Sequence, residues 1–113
     1  MEKEFLLKIA KLADDNVKAI RSNCYDTLTN ISEFTDGVNK ILETDILLLL
    51  VDKMIEEKEN YILAKVLIVL INLLYGKSGS DKALDTPVIS RLLNLLTHSD
   101  EKVHIYKDMA IIF

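Results

Sequence analysis

Apolar residues along this chain gather into runs whose internal spacing is helical, separated by short polar breaks. Val17, Ile20, Cys24, Leu28 and Ile31 recur at intervals of three and four, which predicts a helix with a single apolar stripe. Residues 46–54 (ILLLLVDKM) and 61–75 (YILAKVLIVLINLLY) are apolar almost throughout, and residues 88–96 (VISRLLNLL) return to a mixed pattern. The breaks carry helix-start chemistry. Thr44-Asp45 and Ser99-Asp100 read as N-cap pairs with an acid in the first turn, Thr86-Pro87 as an N-cap with proline at the first helical position, and Asp36-Gly37 as a turn dipeptide.

The runs repeat. ILLLLVDKM at 46–54 returns as VISRLLNLL at 88–96, an offset of 42, and the same shift places Leu42 on Leu84, Leu28 on Leu70 and Asn30 on Asn72. Asp36-Gly37 leads into VNKILET as Gly79-Ser80 leads into DKALDT. After each middle run comes a polar break and a longer apolar run: Glu57 to Asn60 before YILAKVLIVLINLL, and Ser99 to Lys102 before VHIYKDMAIIF. Each full unit therefore reads as a short, a middle and a long helix, a period inside the ~40–47 residues of armadillo and HEAT units. The expected fold is all-α, an armadillo/HEAT-like right-handed superhelical solenoid of about two and a half to three repeats. One domain spans 1–113, with units of about 1–34, 35–76 and 77–113, the first lacking its opening short helix. A compact bundle of four or five helices is the alternative.

Composition supports the helical class. Half of the 113 residues are hydrophobic, only seven are aromatic, and three glycines with one proline are too few to punctuate a β-sandwich or barrel. The net charge of −4, with both signs interspersed, offers no basic stripe for nucleic acid. Cys24 is the only cysteine, which rules out an internal disulfide and a cysteine-rich zinc site, and fits a reducing compartment. MEKEFLLKIAKL has no uninterrupted apolar core of a signal peptide, so the expected location is cytoplasmic. The run 61–75 falls short of the ~20 apolar residues that cross a bilayer and reads as a helix buried by protein on both sides.

A solenoid works through its concave face, lined in armadillo proteins by the long helices. Residues seven apart share a helix face, so Asn23, Asp26 and Asn30 form one column, Lys65, Ile68 and Asn72 the next, and Lys107 begins a third. An asparagine amide both donates and accepts, and can pair with the main chain of an extended peptide whatever its sequence. TLTNIS and VLINLL match the signature that places this asparagine, but the tryptophan found one turn earlier in importin-like grooves is replaced by Asp26 and Ile68, which argues against basic nuclear-import peptides. Other reactive types read blandly. His98 and His104 are six apart, wrong for a metal pair on one helix face; Cys24 sits on the apolar stripe as a small core residue; Glu56, Glu57 and Glu59, interleaved with Lys58, read as a solvated turn. No phosphate loop and no nucleophile-base constellation appears, so neither enzymatic activity nor any metal or cofactor is expected. The chain starts inside a unit and stops in the apolar run MAIIF, which leads us to expect self-association or partner docking through apolar solenoid ends.

Within the armadillo class the segment from about 12 to 97 resembles the central repeats of the radial spoke head protein 14 family of cilia and flagella. The features that carry the likeness are Arg21, Asn23 and Tyr25 as R-x-N-x-Y, Gly37 twelve residues after the tyrosine, Ile41, and Leu50-Val51-x-Lys53 opening the acidic junction with Glu57 and Glu59. The resemblance implies a non-enzymatic structural component of the axonemal radial spoke, with other spoke or axonemal subunits as partners. A free adaptor gripping extended peptides in the concave groove is the alternative function.

Overall fold

A computed structural model describes residues 3–95. The protein is all-α: the described residues form α1 (Lys3–Lys11), which runs on through a 3-10 turn (Leu12–Asp14), then α2 (Lys18–Ser32), α3 (Thr35–Leu42), α4 (Ile46–Glu56), α5 (Asn60–Leu74), α6 (Lys77–Ala83) and α7 (Val88–Asn94), with no strand among them.

Tertiary packing decides what the continuous apolar runs left open. In α4 the chain buries Ile46, Leu47, Leu50, Val51 and Met54 and leaves Leu48 and Ile55, seven apart on one face, exposed. Ten residues of α5 are buried, among them Leu67, Leu70 and Leu73 with no exposed surface, each contributing roughly 1.5–3 kcal/mol of apolar burial. Helix α5 is covered by α2 on one side and by α4 and α6 on others. At 15 residues it spans about 22 Å, and among the described residues no single helix is long and apolar enough to cross a membrane.

The 42-residue shift reappears in three dimensions as the same local bonds. Helix α3 begins at Thr35 and α6 at Lys77. Thr44 Oγ1 donates to the Ile41 carbonyl at 2.6 Å, and Thr86 Oγ1 to the Ala83 carbonyl at 2.7 Å. Leu49 N–H donates to the Asp45 carbonyl and Arg91 N–H to that of Pro87, one repeat on. The hydroxyls of these threonines thus turn back to close the preceding short helix, and α7 begins at Val88, one residue later than the Thr86-Pro87 pair predicts. Thr44 also accepts the Ile46 N–H at 3.1 Å, so it serves both helix ends at once.

Gly37 and Gly79 correct a sequence expectation. Asp36-Gly37 is not a turn; both residues lie inside α3, and among the described residues no glycine has a positive φ. What excludes a side chain is proximity. A Cβ on Gly37 would stand 1.9 Å from the Ile31 carbonyl oxygen, and one on Gly79 would stand 1.6 Å from that of Leu73. Each short helix therefore presses its backbone against the last turn of the long helix before it, at equivalent positions.

Like helices pack on like helices: α2 against α5, α3 against α6, α4 against α7, and α1 against α4. Burial in α1 follows α4 with one residue of slippage, Leu6, Ile9 and Ala13 matching Leu47, Leu50 and Met54. Cations reach back about forty residues to lace these pairs. Lys82 of α6 donates to the Leu42 carbonyl and to that of Thr44 (3.0 Å) at the end of α3, and Arg91 of α7 to the Val51 carbonyl and the Asp52 carboxylate of α4, both at 2.8 Å. Lys82 thereby satisfies carbonyls that the end of α3 leaves without an intrahelical partner.

Candidate protein-binding surface

The long helices carry the surface that the sequence singled out. On α2, Asn23, Asp26 and Asn30 are all exposed and share one face. On α5, Lys65, Ile68 and Asn72 are half-buried and lie beside them. Two rungs join the columns. Lys65 Nζ donates to Ser22 Oγ at 2.8 Å and to the Asp26 carboxylate at 2.9 Å, and Asn72 Nδ2 donates to Ser32 Oγ at 3.0 Å. Ser32 Oγ in turn donates to the Thr29 carbonyl at 3.0 Å. The structure thus brings Asp26, Lys65 and Asn72 into contacts between helices, while the side chains of Asn23 and Asn30 have no hydrogen-bond partner among the described residues. Lys107 lies outside the described residues, as do His98, His104 and the terminal run MAIIF.

The Asp26–Lys65 pair is partly exposed, at 52 and 29 %, and such a pair adds little to stability. Its consequence is electrostatic: the two charges offset each other on a face that also carries amides and two exposed aromatic rings. Sequence reasoning missed those rings. Tyr61 and Tyr75 extend the Lys65–Ile68–Asn72 line at helical spacing and are 49 and 75 % exposed. Tyrosine combines apolar area with a polar tip and is enriched where proteins meet. An aromatic recurring in phase with the polar column was the available signal.

The acidic junction is not the solvated turn its composition suggests. Glu57 is buried, at 8 % exposure, and receives a forked pair of bonds from Arg21, Nε to Oε1 at 2.8 Å and Nη2 to Oε2 at 3.1 Å. Arg21 Nη1 also donates to the Asp15 and Asn16 carbonyls, at 2.9 and 3.3 Å. One guanidinium therefore clamps the α1–α2 junction to the α4–α5 junction. Burial alone would push the Glu57 carboxyl up, but the Arg21 hydrogen bonds and the N–H groups that follow Glu57 outweigh it and hold the carboxyl below its ordinary value. The rest of the cluster is paired as well: Lys18 with Glu59 at 2.6 Å, and the buried Lys53 with Asp14 and with Glu56, the latter at 2.8 Å. Asp15 and Glu57 do the same local work 42 residues apart, each carboxylate accepting the N–H two residues on, at 2.8 and 3.2 Å.

No family model and no curated protein matches the chain. Four of the residues singled out in the sequence have packing roles here. Arg21 holds Glu57, Tyr25 is fully buried, Gly37 meets Ile31, and Lys53 bridges to Asp14.

Among the described residues no group of three or more His, Cys, Asp or Glu side chains is placed to hold a metal ion. Cys24 is a core residue, as its place on the stripe predicts: it is 1 % exposed, and its Sγ donates to the Ile9 carbonyl at 3.2 Å. Burial pushes its thiol up to about 11. At pH 8 the native protein should react with a disulfide reagent far more slowly than the same protein in guanidinium. A thiol that titrates in the folded state within the mixing time would contradict this burial.

Equivalent positions of α4 and α7 differ in burial. Leu47 and Val51 of α4 have no exposed surface, whereas Ile89 and Leu93 of α7, at the same positions one repeat later, are 56 and 51 % exposed. Nearer the N-terminus Phe5, Leu12 and Val17 are about as open. Val17, expected on the buried stripe, lies one residue before the first turn of α2 and faces out.

Proposed function

We propose that this chain is an armadillo-like right-handed solenoid of two and a half to three units that acts as a non-enzymatic protein-binding scaffold. The observation that carries the reading is the pairing of α2 with α5, α3 with α6 and α4 with α7 at a constant shift of 42 residues, with matching glycine and threonine contacts. Stacked units of this sort share one core and leave two long faces and two ends for other polypeptides.

The scaffold docks mainly through its ends. Ile89, Leu93, Phe5 and Val17 offer apolar surface there, while the central rungs of the polar face, Lys65–Asp26 and Asn72–Ser32, are already paired. The likeness of Arg21, Asn23, Tyr25 and Gly37 to radial spoke proteins supports an axonemal setting with spoke subunits as fixed neighbours. A peptide-gripping adaptor is the second reading, supported by the open Asn30 amide and the exposed Tyr61 ring.

Recombinant chain mixed with purified radial spokes lacking their native armadillo subunit separates the two. We expect stoichiometric incorporation that Ile89→Asp with Leu93→Asp abolishes and that Asn30→Ala with Asn72→Ala leaves intact. The reverse pattern would establish the adaptor, and no incorporation of the unmodified chain would remove the axonemal setting.

A further inference from the structure

Helices α1 and α4 pack side by side, and the seam between them holds an open groove of about 360 Å³. Its walls are aliphatic: Leu7 and Ala10 of α1, and Ile46 and Leu49 of α4. Leu7 and Leu48, at matching positions of the two helices, add surface that is 44 and 46 % exposed. Two charges of opposite sign complete the lining, Lys11 from the end of α1 and Asp45 from the start of α4. Both are exposed, and neither side chain makes a hydrogen bond or ion pair with a described residue. The remaining charge in the groove, Asp14, is held by Lys53. We infer that this groove is a dimerisation face that takes a second copy of the chain, with Lys11 of each copy on Asp45 of the other.

The neighbouring seam shows why this one stays open. Between α4 and α7 the residue equivalent to Leu49 is Arg91, whose guanidinium crosses to the Val51 carbonyl and the Asp52 carboxylate, both at 2.8 Å. On α1 the place of Asp52 belongs to Lys11, by the same slippage that matches Leu6 with Leu47. The later seam thus sets an arginine against an aspartate, and the earlier one a leucine against a lysine. The rung is missing, so Lys11 keeps no acid and the aliphatic walls stay uncovered. This difference comes from residues 11 and 49, inside a pair of described helices.

Charge selects the occupant. A segment of one sign would set a like charge against either Lys11 or Asp45, and a purely apolar one would strand both. A second copy brings matching aliphatic walls and the two complementary charges together. A two-fold axis crossing the line from Lys11 to Asp45 places each lysine on the partner's aspartate, so that one contact is made twice, as a self-complementary interface requires. The contact is small and its ion pairs are exposed, which sets a dissociation constant on the order of 0.1–1 mM. The inference goes beyond the scaffold reading, which places docking at the ends: this face uses neither Ile89 nor Leu93.

Sedimentation equilibrium of the recombinant chain from about 10 μM to 1 mM, a range that brackets such a constant, tests it. The parent should dimerise reversibly. Lys11→Asp and Asp45→Lys should each weaken self-association about tenfold or more, because each sets like charges opposite one another. An equimolar mixture of these two variants should recover a heterodimer of parental affinity, since the mixed pair restores both contacts. Misfolding cannot produce that recovery, and melts of the separate variants check that each is folded. A chain that stays monomeric at the highest concentration overturns the inference and leaves the groove to a different polypeptide. Single variants that associate like the parent, or a mixture that stays monomeric, would overturn it too, as would association lost in Ile89→Asp with Leu93→Asp but kept in Lys11→Asp. Should the monomeric chain still join radial spokes, the dimer is refuted and the scaffold reading stands.

Discussion

Gly79→Ala and Gly37→Ala should each destabilise the protein by about 3 kcal/mol or more, the upper range for a forced overlap in a packed interior. The new methyl would fall 1.6 Å from the Leu73 carbonyl oxygen in one case and 1.9 Å from that of Ile31 in the other, and both obstacles are backbone. A flexible side chain could rotate away. The last turn of a long helix cannot move without unstacking the residues that bury it, Leu73 among them. For a chain of this size the melting temperature should drop by roughly 12 °C or more. Gly76, with nothing within 4 Å of an added Cβ, is the internal control, and its alanine variant should stay within about 0.5 kcal/mol of the parent. Thermal melts followed by circular dichroism check all three. Equal melting temperatures for the Gly76 and Gly79 variants would mean that the close approach of α6 to α5 is not present in solution.

Glu57→Gln should cost about 2 kcal/mol at neutral pH, because it removes the charge from a buried forked pair and leaves the Arg21 guanidinium facing a neutral amide. Arg21→Ala should lower the melting temperature in the same direction. The double variant should be scarcely worse than the poorer single one, since the two residues act as a unit. The pH dependence follows from the direction of the shift. A carboxyl held below its ordinary value in the folded state contributes stability that is fully present above its unfolded value near 4.3, and that is lost as pH falls through the folded value. The gap between parent and Glu57→Gln should therefore be constant from about pH 8 to 5 and close as the solution is acidified below about 4. A gap independent of pH down to 3 would show that Glu57 is not a charged partner of Arg21.

The helical class, the 42-residue period and the sandwiched long helix were legible because periodicity is a local property written twice. Lys65 and Asn72 could be placed beside the α2 column only by adding the 42-residue shift to helix geometry. What could not be read is set by distances between segments. Gly37 carries no mark that distinguishes a turn from a close approach, and only the position of the Ile31 carbonyl decides between them. Glu57 looked solvated because its partner stands 36 residues earlier, although the recurrence of an acid at Asp15 and Glu57 was a signal at repeat spacing. The threonines at 44 and 86 misled by one residue because their hydroxyls turn back to the helix that ends, that of Thr44 also accepting from the one that begins.

The most direct test of the stacked-unit account is a crystal structure of the full chain, with residues 35–52 superposed on 77–94. The account predicts that one rigid rotation and translation carries α3 onto α6 and α4 onto α7, sets Gly37 on Gly79 and Thr44 on Thr86, and finds Lys82 at the end of α3 and Arg91 on α4. Helix pairs that need different operations to superpose, or cations at 82 and 91 turned away from the earlier unit, would contradict it.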